Sequence, residues 1–206
     1  MDKNLIKIKR KIFSEVPKDN ILSVILYGSR ARGDFNESSD YDVNVYISQK
    51  TKKTPPLIEI PDINGFVNVV DKKELQSQIN IGHPFVYCCF RDGIPLYDKN
   101  NWFKEMKKQI IKLKPSRKIV KSYFTLAAER LAMMKRFEKK NFLHMEVEDG
   151  KMSANQVAFA LLMHKKIYPL SHATLKEEIA KLNKKYKKIV ESISYLQNCY
   201  YYNKNP

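Results

Sequence analysis

The segments Leu26-Tyr-Gly-Ser-Arg-Ala-Arg-Gly33 and Ser39-Asp-Tyr-Asp42 decide how the first part of this chain folds. The first segment closes the apolar run Ile21–Tyr27, which is typical of a buried strand. The second opens residues 42–48, where the β-branched and polar residues alternate as they do in a half-buried strand. The pattern therefore predicts two strands joined by a short connection that carries glycine, hydroxyl and carboxylate groups.

Gly28 and Ser29 have the chemistry of a phosphate-binding turn. Glycine lets a ligand approach the backbone closely, and the Ser29 hydroxyl is a further hydrogen-bond donor. Residues 30–32 begin a predicted short helix, and the first N–H groups of a helix suit phosphate oxygens. These groups together predict contacts with the phosphates of a nucleotide.

Asp40 and Asp42 form a second polar group across the same connection. Because they are two residues apart at the start of a strand, both side chains are expected on one face of the sheet. Carboxylate and phosphate oxygens are the ligands that Mg²⁺ prefers. A phosphate-binding turn and a metal-binding pair that converge across one loop predict nucleotidyl transfer, although each fragment alone is more often structural.

This arrangement resembles the DNA polymerase β-like nucleotidyltransferase superfamily, especially its minimal and antibiotic-modifying branches. Members share Gly-Ser and, after a gap, Asp-x-Asp before a hydrophobic strand, which here correspond to Gly28-Ser29 and to Asp40 with Asp42. Arg32-Gly33 and Ser39 also match forms that are common in the superfamily. The resemblance covers residues 1–98.

The resemblance implies an α+β fold, in which a small mixed β-sheet has helices on one side. It also implies a nucleotidyltransferase with Mg²⁺ as its cofactor and an NTP, for which we expect ATP, as its substrate. By their positions in the motif, Asp40 and Asp42 are the expected catalytic and metal-binding residues. The expected nucleotide-binding residues are Gly28, Ser29, Arg30 and Ser39.

One residue of the family pattern is missing from this sequence. The family usually supplies a third carboxylate from a later strand, where it helps to bind metal and activates the acceptor hydroxyl. The matching stretch places Asn68 at that position, and an amide is a weaker metal ligand that cannot act as a base. Asp71 would face the other side of a regular strand, whereas Glu59 on the preceding short strand is another candidate. Three alternatives stay open: another carboxylate, a slower enzyme, or a nucleotide-binding protein without turnover.

The distribution of charge separates the chain into two parts. Residues 1–100 carry 15 Lys and Arg against 13 Asp and Glu, a net of +2, whereas residues 101–206 carry 23 against 9, a net of +14. Together these make the total of +16. A basic second half favours an anionic partner such as RNA, although scattered lysines also serve solubility.

Amphipathic periodicity predicts that the second half is helical. Helices are predicted over residues 102–113, 115–140, 153–167 and 174–200, and Ser153 with Gln156 forms a capping box for the third. We therefore expect a nucleotidyltransferase domain at residues 1–98 and a basic, all-α helical bundle domain at residues 99–206. The acceptor is expected to bind between them, because ligand sites often lie at domain boundaries.

The predicted function is Mg²⁺-dependent transfer of a nucleoside monophosphate from an NTP to a hydroxyl of a small molecule, an RNA end or a protein. The alternative is a catalytically impaired nucleotide- or RNA-binding protein of the same fold. No apolar run has the length that a membrane span needs, and the cysteines, Cys88, Cys89 and Cys199, do not form a disulfide framework or a zinc site. These features predict a reduced, cytoplasmic protein, and a homodimer is left open.

Overall fold

The computed structural model describes residues 2–140, 142–172 and 174–183, together with residues 186, 188, 189, 191 and 195. The chain divides after Leu113 into two compact units, each with a hydrophobic core of its own. Within the described residues, no helix combines the length and the apolar character that crossing a bilayer requires.

The first unit alternates helices with strands around one mixed sheet. Its elements in chain order are α1 Lys3–Glu15, β1 Ile21–Tyr27, α2 Gly28–Arg32, β2 Tyr41–Ile47, β3 Leu57–Glu59, β4 Gly65–Asp71, α3 Lys72–Ile81, α4 Pro84–Asp92, β5 Ile94–Asp98 and α5 Trp102–Ile110. The strands lie in the order β3-β4-β2-β1-β5. Strands β2 and β4 are parallel, and the other neighbouring strands are antiparallel. The predicted α+β fold with a small mixed sheet is confirmed.

Helices cover both faces of this sheet. Helix α1 buries Ile8 and Ile12 in the core of one face. Helices α4 and α5 bury Phe90 and Phe103 in the core of the other. The expectation of helices on one side is therefore wrong, because the central strands β1 and β2 are apolar on both faces and each face needs cover.

Helix α5 packs as part of the first unit, whereas the sequence suggested a boundary between residues 98 and 99. Phe103 and Ile110 of α5 are buried in the same core as Phe90 of α4. The rings of Phe90 and Phe103 are stacked with their centroids 5.4 Å apart. The change in composition after residue 100 marks the end of the strands, but the core that the strands build extends through α5.

The second unit is helical. It contains α6 Arg117–Glu138, α7 Leu143–His164 and α8 Leu175–Leu182. Helices α6 and α7 pack antiparallel, since Ser153 Oγ donates to the carbonyl oxygen of Ala127 at 2.8 Å and Arg130 Nη1 lies 2.7 Å from Asp149 Oδ1. The later part of α7 packs against α8 in a small apolar core. The described residues of the second unit are thus mainly helical, as predicted.

Two helix boundaries in this unit differ from the predictions. Helix α7 begins at Leu143, well before Ser153, so the predicted capping box is wrong. Ser153 is instead buried in the α6–α7 contact through its bond to Ala127. Helix α8 ends at Leu182, because Asn183 has an extended backbone, and most of the predicted continuation to residue 200 lies outside the described residues.

Truncation of Ile110 tests whether α5 completes the core of the first unit. Ile110 is fully buried, whereas its neighbour Ile111 is 44% exposed and provides a matched control. We expect Ile110→Ala to lower the free energy of unfolding by about 2–5 kcal/mol, as truncation of a buried isoleucine does, and Ile111→Ala to lower it by much less. Urea unfolding followed by the fluorescence of Trp102, which packs on the same core, measures both. Equal and small losses would show that α5 does not support this core.

Candidate active site

Gly28 lies where β1 ends and the short helix α2 begins. Its φ of +73° is in the left-handed region, which favours glycine. A Cβ atom at this position would also overlap Oδ2 of Asp42 on the neighbouring strand. Antiparallel pairing places Tyr27 opposite Asp42, so the main chain just after Tyr27 lies directly against the carboxylate. The two halves of the sequence motif are therefore in contact, and only glycine fits at position 28.

Ser29 and Gly33 hold the short helix α2 together. The carbonyl oxygen of Ser29 accepts hydrogen bonds from the N–H groups of Gly33 at 2.8 Å and Asp34 at 3.2 Å. Gly33 ends the helix with a φ of +85°, again in the left-handed region. Because these two hydrogen bonds hold the main chain of Ser29, its position next to Gly28 is defined.

Asp40 and Asp42 lie at the start of β2, and their charges act on each other. The pKa of Asp42 is raised to about 6, first because the side chain is partly buried and then because the charge of Asp40 is close; Arg32 opposes the shift. Ionising both carboxylates therefore costs free energy when no cation is bound. A divalent cation would offset that cost, and Mg²⁺ prefers carboxylate oxygens. The donor set fits Mg²⁺.

Arg30 positions the main chain just before β2. Its Nη2 donates to the carbonyl oxygen of Ser39 at 2.7 Å, and its Nε donates to the carbonyl oxygens of Ser39 and Asp40, each at 3.1 Å. Its guanidinium lies 3.9 Å from the centroid of the Tyr41 ring and 4.9 Å from that of Phe35. These contacts are those of a residue that holds Asp40 in place, and the predicted nucleotide contact of Arg30 stays a prediction.

Ser39 shapes the loop that precedes Asp40. Its Oγ accepts a hydrogen bond from the N–H of Asn36 at 3.0 Å, and Asn36 Oδ1 accepts from Ser38 Oγ at 2.7 Å. Asn64 Nδ2 donates to the carbonyl oxygen of Ser38 at 3.1 Å and so ties the loop to the segment before β4. The structure places Ser39 within the loop framework, and its predicted role in nucleotide binding stays a prediction.

The candidates for a third metal ligand lie at separate places. Asn68 on β4 is paired with Asn44 of the parallel strand β2, on the face that carries Asp42. Glu59 lies on the same face, opposite Phe66, which is itself opposite Asp42. Two strand spacings therefore separate Glu59 from Asp42, a distance of about 10 Å between main chains. Among the described residues, no three His, Cys, Asp or Glu side chains gather into a group that could hold a metal ion.

Asp71 lies far from the pair. It is paired with Ile47 at the opposite end of β2, about 16 Å along the strand from Asp42 at the usual rise per residue. Its side chain accepts a hydrogen bond from the N–H of Glu74 at 2.8 Å and caps helix α3. Asp71 therefore has a structural role that explains why a carboxylate follows this strand.

A buried polar cluster lies next to the pair and was not predicted from the sequence. Asn68 Nδ2 lies 3.4 Å from Asn44 Oδ1, to which it donates a hydrogen bond. Asn44 is fully buried, and its Nδ2 donates to the Tyr46 hydroxyl at 3.2 Å and lies 3.5 Å from Cys89 Sγ. Asn44 occurs two residues after Asp42, so the alternation within β2 already indicated a polar side chain on the same face as Asp42.

Tyr27 joins this cluster to the aspartates. Its hydroxyl lies near the side chain of Asn68, and burial followed by the charge of Asp42 raises its pKa well above the usual range. The phenol is therefore neutral at physiological pH and supports the amide of Asn68 from the β1 side. Asn68 donates a hydrogen bond to Asn44 on β2 and lies near the Tyr27 hydroxyl of β1, which accounts for the amide at this position in the absence of any metal role.

Comparison with known proteins agrees with this geometry. A family model described as "Polymerase beta, Nucleotidyltransferase" matches residues 7–101. A protein of Methanocaldococcus jannaschii, named "Putative protein adenylyltransferase", is 36% identical over 83 residues, which are 40% of this chain and 76% of that protein.

One solved structure is similar over the length of the chain. It is spectinomycin adenyltransferase from Enterococcus faecialis, determined with ATP and spectinomycin, with a TM-score of 0.54 and 13% identity, covering 97% of this chain and 99% of the other. At that identity the likeness concerns the fold alone. The Gly28–Asp42 contact, the family model and the 36% identical relative lead to one assignment. This chain belongs to the polymerase β nucleotidyltransferase family.

Proposed function

We propose that this protein transfers AMP from ATP to a hydroxyl group, with Mg²⁺ held by Asp40 and Asp42. The observation that carries the proposal is the contact of the Gly28 main chain with the carboxylate of Asp42, beside the charge of Asp40. The main chain at Gly28 is open to a phosphate group. The contact places it beside two carboxylates whose joint ionisation a cation would stabilise. A bound Mg²⁺ would supply charge neutralisation for the phosphates.

The protein's own residues supply positioning. Asp40 and Asp42 would hold the metal, and Arg30 keeps the main chain of Asp40 fixed through three hydrogen bonds to carbonyl oxygens. Gly28 and Ser29 would contact the β- and γ-phosphates of the nucleotide. Phosphoryl-group transfer depends mostly on such positioning and on electrostatic stabilisation, so no covalent intermediate on the protein is required.

The reaction replaces a phosphoanhydride bond of ATP with a phosphoester bond to the acceptor. The acceptor oxygen forms a bond to the α-phosphorus, and the bond from that phosphorus to the oxygen bridging to the β-phosphate breaks. Pyrophosphate leaves with the bonding electrons, and the acceptor proton passes to solvent. Adenylyl transfer in particular is supported by the names of the relatives, one a putative protein adenylyltransferase and one a spectinomycin adenyltransferase solved with ATP.

Loss of either carboxylate should abolish the reaction. With γ-phosphate-labelled ATP, whose label leaves in pyrophosphate, and Mg²⁺, we expect Asp40→Asn and Asp42→Asn each to lower the rate of pyrophosphate release by about 100-fold or more, the scale of removing a group that stabilises developing charge. Pyrophosphate release counts transfer to every acceptor, water included. Asp34→Asn is the matched control, since Asp34 is an exposed carboxylate that pairs with Arg32 in the same loop. If all three variants and the wild type release pyrophosphate at one rate, the assigned site is wrong.

Without bound metal, ionisation of Asp42 should lower the free energy of unfolding, so stability should depend on pH. Its pKa is raised from 3.8 to about 6 in the folded state, so the folded protein binds this proton more tightly than the unfolded chain does. The stability that this proton provides is present below pH 4 and is lost as the pH rises through 6. With EDTA present, we expect Asp42→Asn to match the wild type near pH 4 and to exceed it by about 1–2 kcal/mol above pH 6, after allowance for partial exposure. Urea titrations at four pH values test this, and a gain that is the same at every pH would contradict it.

The alternative of impaired catalysis depends on Asn68. If this amide occupies the place of a carboxylate, Asn68→Asp supplies a ligand and a base, and we expect turnover to rise by at least about tenfold, since base catalysis contributes about 10²–10⁴. Glu59→Gln should change turnover less than about twofold, because Glu59 lies two strands from Asp42. Both variants are compared with the wild type at several Mg²⁺ concentrations. Inactivation by Glu59→Gln would instead identify Glu59 as the third carboxylate.

A further inference from the structure

Phe66 is an exposed aromatic residue on the face of the sheet that carries the aspartates. It lies directly opposite Asp42 across the parallel pair β2–β4, and 55% of its surface is exposed. The neighbouring side chains of β4, Val67 and Val69, are buried on the other face. A single exposed aromatic side chain needs no explanation on an ordinary surface. This one lies one strand from the metal-binding carboxylate, where a substrate must pass.

Four residues that are paired across neighbouring strands show on which side of the proposed substrate Phe66 lies. The order across the sheet is Tyr27 on β1, Asp42 on β2, Phe66 on β4 and Glu59 on β3. The turn at Gly28, which follows Tyr27, is the place proposed for the β- and γ-phosphates. The leaving oxygen therefore lies on the β1 side of the α-phosphate. Since the attacking and leaving oxygens are roughly in line, the acceptor approaches from the β4 side, where Phe66 is exposed.

The charges on that side select against an anionic acceptor. Glu59 lies next to Phe66 across β3–β4, and Asp62 lies in the hairpin that joins these two strands. On the other side of the ring, the charges of Asp40 and Asp42 would be offset by the Mg²⁺ that they are proposed to hold, so Glu59 and Asp62 give this side its negative charge. A phosphate backbone binds through lysine and arginine, so this surface disfavours a nucleic acid acceptor and suits a neutral or cationic one.

We propose that Phe66 is the acceptor-side platform of this enzyme and that the acceptor carries its hydroxyl beside an apolar or aromatic group that packs on the ring. This inference rests on the proposed adenylyl transfer, which supplies the direction of approach. Packing on the ring removes apolar surface of both partners from water and, for an aromatic acceptor, adds the attraction between rings. Phe66 acts as a specificity-determining residue and takes no part in the transfer of the proton.

Two primary alcohols with the same reacting group test the platform. The full chain is incubated with α-phosphate-labelled ATP, Mg²⁺ and either 2-phenylethanol or ethanol, and the labelled AMP esters are separated and quantified. We expect the wild type to use 2-phenylethanol with a kcat/KM about tenfold above that of ethanol, mainly through a lower KM. Phe66→Ala should bring this ratio close to one, and Phe66→Leu, which keeps an apolar side chain, should give an intermediate value.

Leu57→Ala is the matched control. Leu57 is an exposed apolar residue of the same face, 37% exposed and opposite Asn68 instead of Phe66, and its removal should preserve the wild-type ratio. A short oligoribonucleotide with a free 3′ hydroxyl is tested as a third acceptor, and it should be labelled no faster than ethanol. Urea unfolding of each variant confirms that it is folded.

The outcomes separate this inference from the function on which it rests. Release of pyrophosphate by the wild type without an added alcohol measures transfer of AMP from ATP to water. If this release is absent, the proposed function fails, and the inference fails with it. If pyrophosphate is released but neither alcohol is labelled, or both are used equally, the platform is wrong. A preference that survives Phe66→Ala, or faster labelling of the oligoribonucleotide, overturns it as well.

Discussion

The close contact between the main chain at Gly28 and the carboxylate of Asp42 is the constraint on which the site depends. It requires the antiparallel pairing that sets Tyr27 opposite Asp42, and it requires a residue with no side chain that can adopt a positive φ. The two central strands β1 and β2, which are buried on both faces, supply the pairing, and Gly28 supplies the residue. The functional groups therefore sit at the end of a fixed framework, even though the loop between them is exposed.

That framework supports an arrangement that is unfavourable by itself. Asp42 is partly buried beside another carboxylate, and its raised pKa records the cost of ionising it there. The fold offsets this cost elsewhere, with one core under α1 and another under α3, α4 and α5. Local strain at functional sites persists when the surrounding structure is stable enough to impose it.

The side chains around the pair divide into those that face a substrate and those that hold the frame. Arg30 joins helix α2 to the main chain of Ser39 and Asp40, so this arginine of the motif holds the geometry of the loop. Asn68 and Asn44 form a hydrogen-bonded pair between parallel strands, which explains an amide where the family pattern has a carboxylate. Phe66 belongs to the first group as the proposed acceptor platform, because it is exposed and has an apolar ring beside charged neighbours.

The sequence by itself determined the strands β1 and β2, the turn at Gly28 and the pair Asp40 and Asp42. These follow from local features, namely an apolar run, a glycine and carboxylates spaced by the period of a strand. The sequence also predicted a strand through Asn68, a short strand before it at Glu59, and a helical second half. The predicted start of helix α7 at Ser153 was too late. Ser153 resembles a helix cap in sequence, but it lies inside the helix, where it donates a hydrogen bond to α6. Only the tertiary structure decided that α5 completes the first core, that Asn68 lies beside Asn44, and that Phe66 is exposed next to Asp42. Each of these depends on which strands and helices become neighbours, and that is set by packing between segments far apart in the chain, which no local pattern records.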